Sequence, residues 1–368
     1  MESNKAKYGI CRFNNIGGVT CYMNSILHIL QQVPIFADYV YIGNYADMLK
    51  EKFKSEENIK KLVIYELYRL FSASINNDDV AITPSSFKYN IGKKNDVWNE
   101  YQHQDSEQFC TFLIATIEEE VGNKVIFIPK LLPENSDSNT KLNYLNLLAT
   151  LAWQNFLKTE FSPLKEIFNG MNYFERKCNC CSNISRTFDP FKTIQLAIPI
   201  DPKKDFVKEF TIDECLDHFY TEEQFDKENK KDCDMCGIKN RGITNIKLWK
   251  TPKILIIQFK RFLYNKFGLI TQKITNNINY PIHDFDFSNY IHPDSPYKQK
   301  SKYNLMGVNL HQGLDYSGAE AGHYTSLVKS RFDNNWYLYN DGAKPLKASK
   351  KEHIQNRNAY LLFYYRID

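Results

Sequence analysis

The sequence predicts an α+β fold, with a helical first part and a strand-rich second part. Before about residue 168, three runs repeat their apolar residues at helical spacing. After Pro163 the texture changes, and short alternating or β-rich segments take over. Helices followed by strands place any catalytic site in the cleft between them. Two Cys-x-x-Cys pairs inside the strand-rich part add a metal-pinned excursion to this plan.

In chain order, the stretch Asn14-Asn15-Ile16-Gly17-Gly18-Val19-Thr20-Cys21 leads straight into an apolar-periodic run. Ile26, Leu30 and Val33 recur at helical spacing, and Pro34 is read as the stop. Thr20 is the expected N-cap, which puts Cys21 in the first turn. Unpaired backbone N–H groups and the helix dipole favour an anion there, as a thiolate nucleophile requires. The plainer reading of Cys21 is a small apolar core residue. Further helices are expected over 61–71 (Val63, Leu67, Leu70, Phe71 inward), 106–121 (Phe109, Phe112, Leu113, Ile117) and 143–157 (Leu145, Leu148, Leu151, Ala152). Residues 133–140 read as a polar loop. Strands are expected over 173–177, 193–199, 243–248, 254–262, 303–310, 324–329, 336–340 and 359–365.

Composition bounds the function. In 368 residues, 43% apolar and 24% charged content fits a globular chain with a sizeable core. The net charge of +4 is mild and no block of five like charges occurs, which argues against nucleic acid. The opening Met-Glu-Ser-Asn-Lys-Ala-Lys has no apolar h-region, and no apolar run approaches a membrane span. Nine cysteines without a secretory signal point to a reducing compartment, cytoplasm or nucleus, with sulfur used for catalysis or metal.

Two constellations carry chemistry. Gly322-His323-Tyr324 opens one strand and 336–340 forms the next, so His323 and Asn340 or Asp341 lie close together. A base followed by a residue that orients it is the second half of a Cys-His-Asn/Asp arrangement. Along a strand Asn340 and Asp341 point to opposite faces, so one of them holds the imidazole. Cys178-Asn-Cys180-Cys181 and Cys233-Asp-Met-Cys236 supply four thiolates for a tetrahedral structural zinc, with Cys180 able to replace Cys178. The 51 residues between Cys181 and Cys233 must fold out and return. Unmetallated cysteines left from a former site are the alternative.

Taken together and in this order, these residues resemble the ubiquitin-specific proteases over nearly the whole chain. The Cys21 stretch is similar to the family's cysteine box, and Gln104-Asp105-Ser106 to its Gln-Asp box. Residues 257–262 resemble the strand before its final lobe. Tyr303-Asn304-Leu305, Gly322-His323-Tyr324, 336–341 and 359–364 resemble its histidine box. The resemblance implies a papain-like core in a catalytic domain over 9–366: a helical thumb (about 9–168), zinc-bearing β fingers inserted in the palm (about 169–260), and a β-rich palm (about 261–366). It implies hydrolysis after the C-terminal glycine of ubiquitin, with ubiquitin and ubiquitinated proteins as partners. Cys21 would attack, His323 act as base and then acid, and Asn340 orient it with Asp341 in reserve. Gln104, Asp105, Gln108 and Tyr324 would meet substrate, and Cys178, Cys181, Cys233 and Cys236 would hold structural Zn2+. We expect a monomer that binds neither nucleic acid nor membrane. The alternatives are a catalytically weak ubiquitin receptor and a protease for a ubiquitin-like modifier.

Two departures from the family pattern matter. The oxyanion asparagine stands five residues before the cysteine in relatives; here Asn15 stands six before, and Ile16 takes its place. Either the Gly17-Gly18 pair absorbs the extra residue, by glycine's freedom at positive φ, or that donor is lost. In the Gln-Asp box the glutamate that receives a tail arginine is replaced by Gln108. Glu107, about 100° around the helix, reads as a poor replacement.

Overall fold

The computed structural model describes residues 11–43, 46–76, 80–126, 140–158, 160–201, 207–224, 231–240, 242–267, 270–313 and 322–367. Its centre is a mixed sheet in which seven strands follow one path. The order is Leu346–Ala348, Trp336–Tyr339, His323–Lys329, Lys302–Gln312, Ala359–Arg366, Ile254–Lys260 and Thr193–Ala197. Only the last of these pairings is parallel.

The alternation of side chains along these strands builds two cores. Ile254, Ile256, Leu361 and Phe363 face the helices, while Leu255, Ile257, Leu362 and Tyr364 face the opposite layer. A strand buried on both faces reads as a continuous apolar run, as Ile254-Leu255-Ile256-Ile257 does. The helix Cys21–Gln32 lies against the His323–Lys329 strand, and all twelve of its residues are buried. Its polar members therefore need partners. Ser25 accepts from Asn309 (2.8 Å), which accepts in turn from Ser106 (2.8 Å). Gln32 accepts from the Arg331 N–H at 3.1 Å. Gly307 admits Ile29 where a Cβ would stand 2.7 Å from its methyl carbon.

The helices Val63–Asn76, Ser106–Val121 and Thr140–Lys158 and the expected strands form within a few residues of expectation. Five details differ. Pro34 does not only end a helix; it sits in the first turn of Pro34–Ile42, where a missing N–H costs nothing. Leu151 is 38% exposed; Leu145, Ala149 and Ala152 make the packed face instead. The 254–262 run breaks after Lys260 and resumes as Phe262–Tyr264, because Arg261 is fully buried and donates to the carbonyls of Ala359, Ile274 and Asn276. A strand Ile184–Phe191 and a helix Ile212–Tyr220 were not expected. Of the expected polar loop, 133–139 lies outside the described residues, and Thr140 begins a helix.

Beyond the central sheet, Gly170–Lys177 pairs with Ile184–Phe191 and Ile243–Lys250 in a separate antiparallel sheet. The two cysteine pairs sit at its far end. No helix among the described residues is long and apolar enough to cross a membrane.

Candidate active site

Cys21 is the first residue of its helix and is 1% exposed. Thr20 holds the N-cap position, yet its hydroxyl does not cap. It accepts from the Ile16 N–H (2.8 Å) and lies 3.2 Å from Asn15 Oδ1, which also accepts from the Thr20 N–H at 2.7 Å. The first turn thus has no side-chain cap, and the loop before it is cinched onto Asn15. Gly17 (φ 62°) and Gly18 (φ 76°) take the left-handed turn that lets the longer loop bring Asn15 back beside Thr20.

His323 opens its strand, and its Nε2 is 2.7 Å from Asn340 Oδ1. That bond commits Nε2 as donor and leaves Nδ1 for the hydrogen bond His323 shares with Cys21. Asp341 Oδ2 lies 3.8 Å from Nε2. The hydrogen bond with Cys21, helped by Asn340 and the charge of Asp341, raises the imidazole to about 9 against partial burial. The expected alternation of Asn340 and Asp341 does not apply, because the strand ends at Tyr339. Asp341 lies in a turn at φ 45°, and both side chains reach the same side. Asp341 accepts from Asn15 Nδ2 (2.9 Å) and from Asn24 Nδ2 (2.8 Å). Gly322 is needed next to the base: a Cβ there would stand 2.2 Å from His311 Nε2.

The Gln-Asp segment starts the helix Ser106–Val121. Asp105 is its N-cap, accepting from the N–H groups of Glu107 (2.7 Å) and Gln108 (3.0 Å), and its other oxygen accepts from Tyr360 at 2.6 Å. Its carboxylate is 6% exposed and internally engaged, which fits a support under the cleft better than a contact on its wall. Tyr324 is 2% exposed and hydrogen-bonded to Ser106, so it too lies beneath the surface. Gln104 is half-buried and donates to Val97 O at 3.4 Å. A cavity of about 330 Å³ is lined by Glu107, Gln108, Gln258, Arg261 and Tyr360. The step of 100° around the helix does not separate Glu107 from Gln108, since the cavity wraps the first turn and both border it. Burial raises the Glu107 carboxyl above the usual range, offset in part by the Thr111 hydroxyl.

The sulfurs of Cys178, Cys181, Cys233 and Cys236 lie within 4.8 Å of one another. Cys178–Cys236 are 4.0 Å apart and Cys181–Cys233 3.7 Å. Four sulfurs about 2.3 Å from one tetrahedral ion stand about 3.8 Å apart, so the set fits zinc. The two turns match. Ser182 N–H donates to Cys178 O and Gly237 N–H to Cys233 O, with Ser182 (φ 60°) and Gly237 (φ 66°) left-handed at equivalent places. Cys180 is exposed and outside the cluster, so it does not replace Cys178.

A family model described as ubiquitin carboxyl-terminal hydrolase matches residues 11–364. The chain belongs to this family. Among curated relatives, ubiquitin carboxyl-terminal hydrolase 2 of Bos taurus is 28% identical over 363 residues, covering 98% of this chain and 56% of its own length. Ubiquitin carboxyl-terminal hydrolase 4 of Saccharomyces cerevisiae is 28% identical over 366 residues, 95% of this chain and 38% of its own. The chain thus spans about half the length, or less, of these relatives. A chain of the SAGA Ubp8/Sgf11/Sus1/Sgf73 DUB module bound to ubiquitin aldehyde shares the fold, with TM-score 0.70 and 22% identity over all of this chain and 71% of that one.

For a ubiquitin carboxyl-terminal hydrolase, the site contains one residue that sequence reasoning passed over. Asn24, one turn after Cys21, donates to Phe13 O (3.1 Å), Asn14 O (3.3 Å) and Asp341. The available signal was its i, i+3 spacing from Cys21, which places it on the same helix face.

Proposed function

We propose that this chain is a cysteine-type deubiquitinase that hydrolyses the isopeptide or peptide bond after the C-terminal glycine of ubiquitin. The observation that carries the reading is His323, hydrogen-bonded to Cys21 on one side and to Asn340 Oδ1 at 2.7 Å on the other. Support for the substrate comes from the family and from a solved structure of similar fold bound to ubiquitin aldehyde.

With the Cys21 proton already held on His323 as an imidazolium, the sulfur attacks the glycine carbonyl carbon as a thiolate. The resulting oxyanion is held by backbone N–H groups at the uncapped helix start and by Asn15, whose amide is fixed by Thr20 and Asp341. Collapse breaks the C–N bond, and the imidazolium gives its proton to the leaving lysine amine. Water, deprotonated by the now neutral His323, then cleaves the thioester, and the sulfur leaves as thiolate beside the restored imidazolium. Asn340 keeps the imidazole in one tautomer throughout.

The lobes follow as about 9–168 for the thumb, 169–260 for the fingers and 261–366 for the palm, with ubiquitin gripped between fingers and palm. Cys178, Cys181, Cys233 and Cys236 hold structural Zn2+, which pins the two ends of the excursion.

The test is turnover of a ubiquitin C-terminal fluorogenic substrate. Wild type turns over, Cys21→Ser does not, and a ubiquitin C-terminal electrophile forms an adduct at Cys21. Folded wild type that forms no adduct ends the reading.

A further inference from the structure

The residues of the proposed site come from three segments far apart in the chain, and one buried ring touches all three. His28, two turns after Cys21 on the same helix, is 2% exposed. Its imidazole stacks on Phe13 (ring centroids 4.5 Å, planes 20° apart) and on Tyr339 (4.3 Å, 24°). Phe13 lies two residues before Asn15, and Tyr339 immediately precedes Asn340 and Asp341. Phe13 and Tyr339 are themselves buried, at 0% and 3% exposure.

We infer that His28 is a positioning residue, clamping the Asn15 segment and the Asn340–Asp341 turn in register with Cys21 through a three-ring stack. The inference deepens the proposed function and rests on it.

The geometry carries this through two layers. In the upper layer Asn24 bonds the Phe13 and Asn14 carbonyls and Asp341. In the layer below, His28 sets the spacing between the same two segments by the thickness of a flat ring. Stacked rings resist a change of separation but tolerate exchange of one flat ring for another. No hydrogen bond to His28 Nε2 occurs among the described residues, and what the ring presents to Phe13 and Tyr339 is its two flat faces. An aliphatic side chain of similar volume keeps the core filled and loses the planar spacer. The displacement of Asn340 that follows is paid in kcat, since an error of about 1 Å in a reacting group costs up to about a hundredfold.

The experiment compares His28→Leu with His28→Phe in the full chain, with kcat and KM expressed per titrated Cys21. It adds the pH profile of Cys21 alkylation by iodoacetamide, which needs no ubiquitin. We expect His28→Leu to lower kcat about tenfold with KM unchanged. We expect its alkylation limb assigned to His323 to move down by about one pH unit, as the bonds to Cys21 and Asn340 loosen. His28→Phe restores both to within about threefold and a few tenths of a unit. Equal kcat in the two variants, or a loss confined to melting temperature and active fraction with an unmoved profile, overturns the inference. If wild type fails to turn over ubiquitin substrate, the proposed function falls while the alkylation profile still decides the clamp.

Discussion

Asn15 Nδ2 donates to Asp341 Oδ2 at 2.9 Å, joining positions 326 residues apart. In the mechanism proposed above, Asp341 therefore serves the oxyanion side of the site as much as the base. It accepts from Asn15 and Asn24 and stands 3.8 Å from His323 Nε2, while Asn340 Oδ1 takes the Nε2 hydrogen bond at 2.7 Å. We predict that Asn15→Ala lowers kcat about a hundredfold or more, and that Asp341→Ala does much of the same damage. The double variant should then lose far less than the product of the two, with a coupling of about 1 kcal/mol or more. Additive losses would show that Asp341 acts through His323 instead.

A pH dependence follows from His323. Its value is raised to about 9, first by the bond with Cys21 and then by Asn340, so the imidazolium persists through neutrality. Activity needs that proton for the leaving amine, and kcat/KM should fall as pH rises through about 9. The stability side has the same sign. A raised value contributes stability that is complete below the ordinary imidazole range and is lost as pH rises through about 9. Asn340→Ala should lower kcat and move the alkaline limb of kcat/KM downward. A limb that stays in place would remove Asn340 from the base's environment.

Much of this arrangement was legible in the sequence because short-range rules decide it. The apolar period fixed the Ser106–Val121 helix, and the β-rich run from Ile254 marked a strand, which the structure buries on both faces. The helix Ile212–Tyr220 was missed although Thr211 and Glu214 spell a capping box, which the structure forms in full. Ile184–Phe191 was missed because Pro190 and irregular alternation hide it; pairing with Gly170–Lys177 supplies what local sequence lacks. The roles of Asp341 and Asn24 depend on a contact between the two ends of the chain. Local spacing puts Asn24 on the Cys21 face and Asp341 beside Asn340, but it does not announce that the two meet.

Zinc gives a separable test. The purified chain should carry about one equivalent, and Cys233→Ser should lose it. Removal by a strong chelator should lower the melting temperature and raise KM for ubiquitin substrate. Iodoacetamide should still alkylate Cys21 at the wild-type rate, because the cysteine cluster ends a sheet separate from the central one. Metal content near zero with unchanged stability would leave four unmetallated thiols.

The last prediction concerns the cavity at the start of the Ser106–Val121 helix. Asp105 spends both oxygens on the helix start and Tyr360, so, on the proposed function, we predict that the cavity carboxylate meeting a cationic tail residue is Glu107. Glu107 is only 9% exposed, and burial raises its carboxyl, so it gains a proton at higher pH than an ordinary glutamate. Glu107→Gln should raise KM for ubiquitin substrate about tenfold, as loss of a charge-assisted bond implies, with kcat held within about twofold. In wild type KM should climb as pH is lowered toward the glutamate range, and in Glu107→Gln that climb should vanish. Gln108→Glu, which adds a carboxylate beside the same cavity, should lower KM instead. If both substitutions leave KM alone, the tail binds elsewhere and the cavity has only a packing role. If Glu107→Gln slows Cys21 alkylation as strongly as turnover, its effect runs through the helix start and not through the substrate.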